Sequence, residues 1–179
     1  MTNLQNLAVL DQQVRRYKSD YSLDQLGDAF SWAALESILN LTIDEINDAI
    51  VDDGMDGGID AIYILDTDAH IFNFNYATTF ENTSKSFPQN KLDNLVVTIE
   101  KIMGKGLTEK DVNPALWDKV REIWDLLGQG PLNLHFYVCS NKNKPDESAI
   151  RRFQGNLSKF PFVHFNYLDL EDLVTKILQ

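Results

Sequence analysis

The feature that most constrains the fold of this chain is an acidic Gly-Gly turn placed between a helical first third and an apolar strand. The turn reads Asp56-Gly57-Gly58-Ile59-Asp60. Adjacent glycines allow positive φ angles and aspartate favours turns, so a helix is not expected to continue through this point. The apolar run over 59–65 predicts a strand that opens on the Asp60 carboxylate. The chain is therefore expected to pass from helices to a sheet here.

A second strand, predicted over 70–77, carries polar side chains at its centre. Because side chains alternate along a strand, Ile71, Asn73 and Asn75 share one face. Asparagine is a poor strand former, and a polar side chain on a central strand needs a partner or a wet cleft. We expect the first strand to pair antiparallel with the second, with Asp60 approaching the same face. The pattern indicates a polar site on the sheet.

The order of elements is typical of an α/β (α+β) fold with a mixed sheet. Ser22 with Gln25 and Thr42 with Glu45 form capping-box patterns at two helix starts. Apolar spacing and turn residues predict helices over 3–18, 22–39, 42–50, 88–103, 113–128, 145–159 and 170–178, and further strands over 132–140 and 162–168. We expect a central sheet of about four strands flanked by helices. We assign a single domain over 1–179, with a helical N-terminal part over 1–52 and a sheet core with flanking helices over 53–179.

The charge of the chain restricts its partners. The formal net charge is −11 and the pI is near 4.6, whereas proteins that depend on phosphate contacts usually present a basic face. DNA or RNA therefore stays a candidate partner, but a weakly held one. No apolar run reaches the roughly 20 residues that span a bilayer, and no secretory signal is visible, so we expect no membrane partner and a cytoplasmic location. The lone Cys139 suits a reducing compartment and is expected to be a small buried hydrophobe.

Other ligand-binding loops fit the acidic turn less well. A calcium loop starting at Asp52 would have Gly54 at its third position and Tyr63 at its twelfth, where oxygen ligands are needed. A phosphate-cradling loop needs a GxxxxGK pattern, which the turn lacks. The histidines, which show no metal-ligand spacing and are expected to be structural, are His70, His135 and His164. A plain structural turn and a metal-holding turn both stay open at this point.

A helix carboxylate could complete a metal-holding turn. In the helix predicted over 22–39, Glu36 shares a face with Ala29 and Trp32, which favours a partly buried carboxylate. The alternative is an ordinary solvated glutamate on the helix surface. Glu36 is therefore a candidate metal ligand from the helical part of the chain.

The chain resembles the PD-(D/E)xK nuclease superfamily, the fold of many restriction endonucleases. It looks most like the N-terminal nuclease-like domain of AIPR-type abortive-infection phage-resistance proteins. The resemblance is carried by Asp44-Glu45-Ile46 through Val51-Asp52-Asp53-Gly54-Met55-Asp56-Gly57-Gly58-Ile59-Asp60-Ala61-Ile62-Tyr63-Ile64. The order helix, hairpin, helix, strand extends it over most of the chain. It implies a restriction-endonuclease-like core preceded by N-terminal helices.

The resemblance also implies a site for Mg²⁺ or Mn²⁺. In that superfamily a helix glutamate, a strand aspartate and a Glu or Gln on the next strand hold the ion, and a lysine two residues later activates water. The matching positions here are Glu36, Asp60 and Asn73 for the metal, with Asn75 at the lysine position. Asn73 offers only a neutral carbonyl, and Asn75 cannot carry a positive charge. An active enzyme would therefore need a lysine from elsewhere.

Two lysines are candidates for that role. Lys85 follows the second strand in a polar loop, and Lys91 lies at the start of the helix predicted over 88–103. The alternative for both is an ordinary surface lysine, because most lysines are exposed and solvated. We keep both residues in the candidate catalytic set with Asp60, Asn73 and Asn75.

Three functional hypotheses follow, in order of preference. The first is a nuclease-fold protein of phage defence or restriction with impaired or absent cleavage. The second is a non-enzymatic defence or regulatory module, with the apolar stripe of Trp117, Ile123 and Trp124 as a candidate homodimer interface. The third is an active Mg²⁺-dependent nuclease with a relocated lysine.

Overall fold

A four-stranded mixed sheet lies between two layers of helices in the computed structural model, which describes residues 2–51 and 58–179. The elements are α1 (Asn3–Asp20), α2 (Leu26–Leu39), α3 (Ile43–Ala49), β1 (Ala61–Leu65), β2 (Asp68–Asn75), α4 (Phe80–Thr83), α5 (Gln89–Met103), α6 (Pro114–Gln129), β3 (Asn133–Ser140), α7 (Glu147–Leu157), β4 (Val163–Leu168) and α8 (Leu170–Leu178). The predicted α+β class, with about four strands flanked by helices, is confirmed. Residues 52–57, which include Asp56 and Gly57 of the acidic turn, lie outside the described residues.

The strands lie in the order β1-β2-β3-β4, with β1 antiparallel to β2 and the other pairs parallel. The hairpin turns at Asp66, whose φ of 55° is left-handed and is tolerated by aspartate. Because β2, β3 and β4 run in the same direction, Asn75, Ser140 and Leu168 end their strands on one side of the sheet. We call this side the carboxyl edge. Ligands of open sheets with parallel strands bind at such edges.

Each face of the sheet has its own hydrophobic core. Ile71 and Phe136 belong to the core built with α5, α6 and α7, whereas Phe72 and Cys139 belong to the core built with α1, α2 and α8. The two sets alternate along each strand, which is the period expected for a sheet buried on both sides. Cys139 is fully buried, as predicted.

The apolar stripe of α6 packs inside the molecule. Ile123 is fully buried, and Trp117 and Trp124 are partly buried against the α5, α6 and α7 core. The Trp124 indole N–H donates to the backbone carbonyl of Ile102 at 2.8 Å. Ile123 is therefore a core residue, and Trp117 and Trp124 pack against that core.

The helix starts show one correct and one wrong capping prediction. Thr42 and Glu45 form the predicted reciprocal box at α3. The box predicted from Ser22 and Gln25 is wrong, because α2 begins at Leu26 with no side-chain cap. Ser22 has a left-handed φ of 52° instead of the extended backbone that an N-cap serine needs.

One short helix, α4, lies in a segment that the sequence analysis treats as a polar loop. Thr79 starts α4 by accepting a hydrogen bond from the backbone N–H of Asn82.

Across the described residues, 2–51 and 58–179, the helices are too short or too polar to cross a bilayer.

Candidate functional site at the carboxyl edge

The Asp60 side chain takes the place of a backbone hydrogen-bond acceptor in the sheet. The β1–β2 ladder ends with the pair Ala61 and Phe72. One step further, the Asp60 carboxylate accepts a hydrogen bond from the backbone N–H of Phe74 at 2.6 Å. The carboxylate thus replaces the carbonyl that a longer β1 would supply. A charged acceptor makes this bond stronger than an ordinary ladder bond.

The helix α2 brings Asp28, and not Glu36, to the cavity that Asp60 lines. That cavity has a volume of about 260 Å³, and its lining includes Asp28, Ser31, Trp32 and Asp60. Glu36 lines a different cavity, together with Arg16 and Lys176. The two predicted carboxylates therefore line separate cavities in this structure.

The sequence indicates Asp28 as a candidate beside Glu36, but it contains no reason to prefer Asp28 over Glu36. Asp28, Trp32 and Glu36 follow one another at four-residue spacing, so they share one stripe of α2. Eight residues along a helix correspond to about 12 Å. Which end of that stripe meets Asp60 depends on how α2 lies on the sheet, and the stripe alone does not contain this information.

Asn73 lies on the opposite face of the sheet, towards α5. Its side-chain amide donates to the backbone carbonyl of Gly58 at 2.7 Å. Gly58 has a left-handed φ of 77°, and a side chain there would also contact Asn73 and Leu95 of α5. The Asn73 Oδ1 atom is buried and has no hydrogen-bond partner among the described residues. A buried polar atom of this kind needs a water molecule or a ligand.

Asn75 lies at the carboxyl edge, where β2 ends. It is in register with Ser140 at the end of β3, on the same face as Asn73. The Ser140 side chain is buried and accepts a hydrogen bond from the backbone N–H of Lys142 at 3.1 Å. Asn75, at the position where the resemblance implies a catalytic lysine, therefore carries a neutral side chain. A lysine, Lys142, lies two residues beyond Ser140, its register neighbour on β3.

Tyr167 adds a second buried polar atom to this face. In the sheet, Asn73, Val138 and Tyr167 occupy one register row across β2, β3 and β4. The Tyr167 ring meets the Phe87 ring edge-to-face at 5.8 Å, and its hydroxyl is buried beside the Ser140 side chain. Burial raises the pKa of Tyr167, and the neighbouring Ser140 side chain opposes that rise.

Both predicted lysines lie near Lys142. The backbone N–H of Asn143 donates to the carbonyl of Lys85 at 3.1 Å, and the N–H of Phe87 donates to the carbonyl of Asn143 at 2.9 Å. Lys91 follows one turn later, near the start of α5. Burial lowers the pKa of Lys142, and the charges of Lys91 and Lys85 lower it further. The fold thus pairs the loop of Lys85 with the residue that follows a third lysine.

Sequence reasoning missed Lys142. The available signal was its place two residues after the buried strand 132–140, where parallel strands end at a common edge. Its proximity to Lys85 depends on the bridge between Ser86 and Asn143, which are far apart in sequence.

The described residues do not form the carboxylate set that the resemblance implies for Mg²⁺ or Mn²⁺. Hard divalent ions of this kind prefer several oxygen ligands, usually including carboxylates. Within 2–51 and 58–179, no group of three His, Cys, Asp or Glu side chains is placed to hold a metal. Asp60 and Asn73 also lie on different faces of the sheet, because Asp60 lines the cavity with Asp28 of α2 whereas Asn73 bonds to Gly58 beside Leu95 of α5. Asp52, Asp53 and Asp56 lie outside the described residues.

The histidines form a row at the other end of the sheet. Tyr63, His70, His135 and His164 are register neighbours across all four strands. The ring centroids of His70 and His135 lie 4.8 Å apart, and those of His135 and His164 lie 5.0 Å apart. The His135 Nε2 atom lies 2.8 Å from an Asp68 carboxylate oxygen. The three histidines are far apart in the sequence, and the parallel register places them side by side.

Comparison of the chain with protein-family models, with curated proteins and with solved structures finds no match.

Proposed function

We propose that the chain is a nuclease-fold protein, resembling the metal-dependent DNA endonucleases of phage defence or restriction, with impaired or absent phosphodiester cleavage. The observation that carries this proposal is the identity and bonding of two side chains on β2. Asn73 donates its amide to the Gly58 carbonyl at 2.7 Å, and Asn75 is a neutral side chain at the carboxyl edge. In the superfamily that the chain resembles, these positions hold a metal ligand and a lysine.

The chemistry of the two asparagines supports impaired cleavage. A phosphoryl transition state spreads negative charge over its oxygens, and positioned cations stabilise it. Removing one such donor typically costs a factor of about 10²–10³ in rate. Asn75 supplies no charge, and Asp60 is engaged by the Phe74 N–H at 2.6 Å. The described residues around β2 thus offer fewer charged groups than cleavage requires.

A nicking assay tests the proposal directly. Supercoiled plasmid and single-stranded DNA are incubated with the protein in Mg²⁺ or Mn²⁺, with EDTA as the control. We expect no metal-dependent nicking. Robust nicking that disappears in Asp60→Ala, in protein shown to be folded by circular dichroism, would contradict the proposal.

A gain-of-function variant sharpens the same test. Asn73→Glu combined with Asn75→Lys restores the side chains that the resembled superfamily carries at these positions. Because Asp60 lines a cavity on the other face of the sheet, we expect the double variant to stay without metal-dependent nicking; nicking by this variant would show that Asp60 and position 73 can share an ion. The single variant Asn75→Lys is the control, because it adds the cation without the acid.

A second candidate function is an active nuclease with a relocated lysine. It is favoured by the proximity of Lys85, Lys91 and Lys142 at the carboxyl edge. This candidate predicts that the wild-type protein nicks DNA and that a glutamine substitution at one of these lysines abolishes nicking. Nicking that survives all three single substitutions would exclude it.

A further inference from the structure

We propose that the cavity between α1 and the segment after β2 binds a small organic amine with an apolar body. This cavity has a volume of about 330 Å³. Its lining includes Tyr76, Ala77 and Asn141, which directly follow the ends of β2 and β3. Open sheets with parallel strands hold their ligands outside such strand ends. The site is independent of the nuclease resemblance and goes beyond the proposed function.

Apolar side chains line the cavity from two helices. Leu4 and Leu7 belong to α1, and Phe80 belongs to α4. Phe80 is 67% exposed and Leu4 is 63% exposed, the two highest values among the large apolar side chains of the described residues. Exposed apolar side chains that converge on one concave surface are typical of a binding site. A ligand with an apolar body would remove both side chains from water.

The strand-end side of the cavity is held in place by hydrogen bonds and ring packing. The Asn141 side-chain amide donates to the Ala77 carbonyl at 2.9 Å, and its Oδ1 accepts from the Ala77 N–H at 2.7 Å. The Tyr76 ring stacks on the fully buried Phe30 of α2, with the ring centroids 4.9 Å apart. This side of the cavity is therefore formed before a ligand arrives, which lowers the entropy cost of binding.

Asp11 gives the cavity its charge. It is the one charged side chain in the lining, as far as the described residues show. Its Oδ2 accepts from the Arg15 Nε at 2.9 Å, and its Oδ1 accepts from the Tyr76 hydroxyl at 3.3 Å. A carboxylate has about four acceptor positions, so Asp11 has room for a further donor. Burial, reinforced by the Asp11 charge, raises the pKa of Tyr76 to about 12, so this hydroxyl stays neutral.

A carboxylate beside apolar walls favours a cationic ligand over an anionic one. The side chains of Arg15 and Asp11 are 60% and 47% exposed, and exposed ion pairs of this kind contribute little to stability. A ligand ammonium group can therefore share Asp11 with Arg15 or replace it. The net charge of −11 also attracts cations and repels anions.

The cavity volume sets the size of the ligand. A protein cavity of about 150 Å³ is enough to hold benzene, so 330 Å³ accommodates one ring, or a chain of similar size, together with its ammonium group. We therefore choose 2-phenylethylamine as the probe, because it joins one benzene ring to an amine that is protonated at neutral pH.

Amide NMR spectra of isotope-labelled protein measure binding and locate it. We expect 2-phenylethylamine to bind with a dissociation constant of about 0.1–1 mM. The shifted amides should lie in the segments 4–11 and 77–83. Two control ligands separate the contributions: 3-phenylpropionate keeps the ring and reverses the charge, and ethylamine keeps the charge and lacks the ring. Each should bind about tenfold more weakly or worse.

Asp11→Asn tests the charge. It keeps the size of the side chain, and we expect the dissociation constant for 2-phenylethylamine to rise about threefold to tenfold. The preference over 3-phenylpropionate should shrink at the same time. The matched control is Asp20→Asn, which removes the same charge from an exposed position at the end of α1. It should leave binding within about twofold of wild type.

Phe80→Ala tests the apolar wall. Because Phe80 is exposed, this substitution changes the cavity without opening either core, and circular dichroism checks the fold. We expect the dissociation constant to rise about threefold to tenfold. The matched control is Phe162→Ala, which removes a 47% exposed ring outside the lining and should leave binding within about twofold of wild type.

The contrary outcomes are distinct from failure of the proposed function, because none of them depends on DNA cleavage. Equal binding of 2-phenylethylamine and 3-phenylpropionate would overturn the choice of an amine. No saturating shift below about 10 mM probe, or shifts centred on the cavity of Asp28 and Trp32, would overturn the site. A homodimer in sedimentation velocity that Phe80→Ala dissociates would also overturn the proposal and assign this surface to a second copy of the chain.

Discussion

The Asp60 carboxylate completes the hydrogen-bond ladder of β2 by accepting the Phe74 N–H at 2.6 Å. Its own backbone N–H donates to the Phe72 carbonyl, and its carbonyl accepts from the Val51 N–H. One residue thus bonds to the strand on one side and to the segment after α3 on the other. Asp60 is therefore a structural residue of the sheet in addition to being a candidate site residue.

Asp60→Ala should destabilise the fold. It leaves the part-buried Phe74 N–H without its acceptor, which typically costs about 1–3 kcal/mol. Asp60→Asn keeps an oxygen acceptor and should cost less. Urea unfolding followed by circular dichroism measures both. Asp28→Ala, on an exposed side chain of the same cavity, is the matched control and should stay within about 0.5 kcal/mol of wild type. A smaller loss for Asp60→Ala than for Asp28→Ala would contradict the structural role.

Asn113 should be the most sensitive cap of the fold. Its Oδ1 accepts from the Leu116 N–H at 2.7 Å at the start of α6, and its Nδ2 donates to the Val51 carbonyl at 2.7 Å. Asn113→Ala should cost about 2 kcal/mol, about half from the lost cap and half from the lost buried bond.

Asn113→Asp separates the two contributions. A carboxylate still caps α6 but cannot donate to the Val51 carbonyl. Urea unfolding should therefore place this variant between wild type and Asn113→Ala. If Asn113→Asp is as stable as wild type, the bond to Val51 contributes nothing.

Stability should fall as the pH drops below the ordinary histidine range because of His70. Burial, reinforced by the neighbouring His135, lowers the pKa of His70 from its ordinary value of 6.5. The unfolded chain then takes up the proton first, so stability is fully present above about pH 6.5 and declines as the pH falls towards the folded value.

His70→Phe keeps a ring in the row and removes this titration. Urea unfolding at several values between about pH 8 and pH 5 should show a shallower decline in the variant than in wild type. The Asp68 carboxylate also lies near this row, and the His135 side chain lowers its pKa. Its contribution is lost only in more acidic solution, below the ordinary aspartate value of 3.8. If wild type and variant lose stability equally between about pH 8 and pH 5, His70 does not control this pH dependence.

Cys139 should be unreactive in the folded protein. The thiol is fully buried, and burial raises its pKa, so the reactive thiolate is scarce. Ellman's reagent should therefore react slowly with native protein and rapidly after unfolding in urea. Rapid reaction of native protein would mean that the sheet opens at Cys139, and Asp60→Ala should then accelerate it.

Local sequence patterns predicted the elements well where short-range effects decide them. The helix predicted over 88–103 is found as α5 at Gln89–Met103, and the last helix matches α8 at Leu170–Leu178. Periodicity also placed Asn73 and Asn75 on one face of a central strand. These features depend on residues within a few positions of one another, so a single sequence contains them. The wrong cap at Ser22 shows the limit, since its left-handed backbone overrides the pattern.

The site was predictable as a set of residue types but not as an arrangement. The sequence predicts Lys85 and Lys91 as candidate lysines, but Lys142 lies beside Lys85 only because Asn143 pairs with the loop at Ser86. Glu36 was named, yet the cavity of Asp60 receives Asp28. Each difference depends on how distant elements pack.

The sequence by itself determined the α+β composition, the order of the elements and the polar character of β2, because propensity, capping and periodicity act locally along the chain. The tertiary structure alone decided that Asp60 bonds to the ladder, that three histidines stack in one row and that three lysines share the carboxyl edge. The physical reason is register: parallel strands are joined by long crossovers, and their alignment is set by packing of the two hydrophobic cores rather than by any local signal.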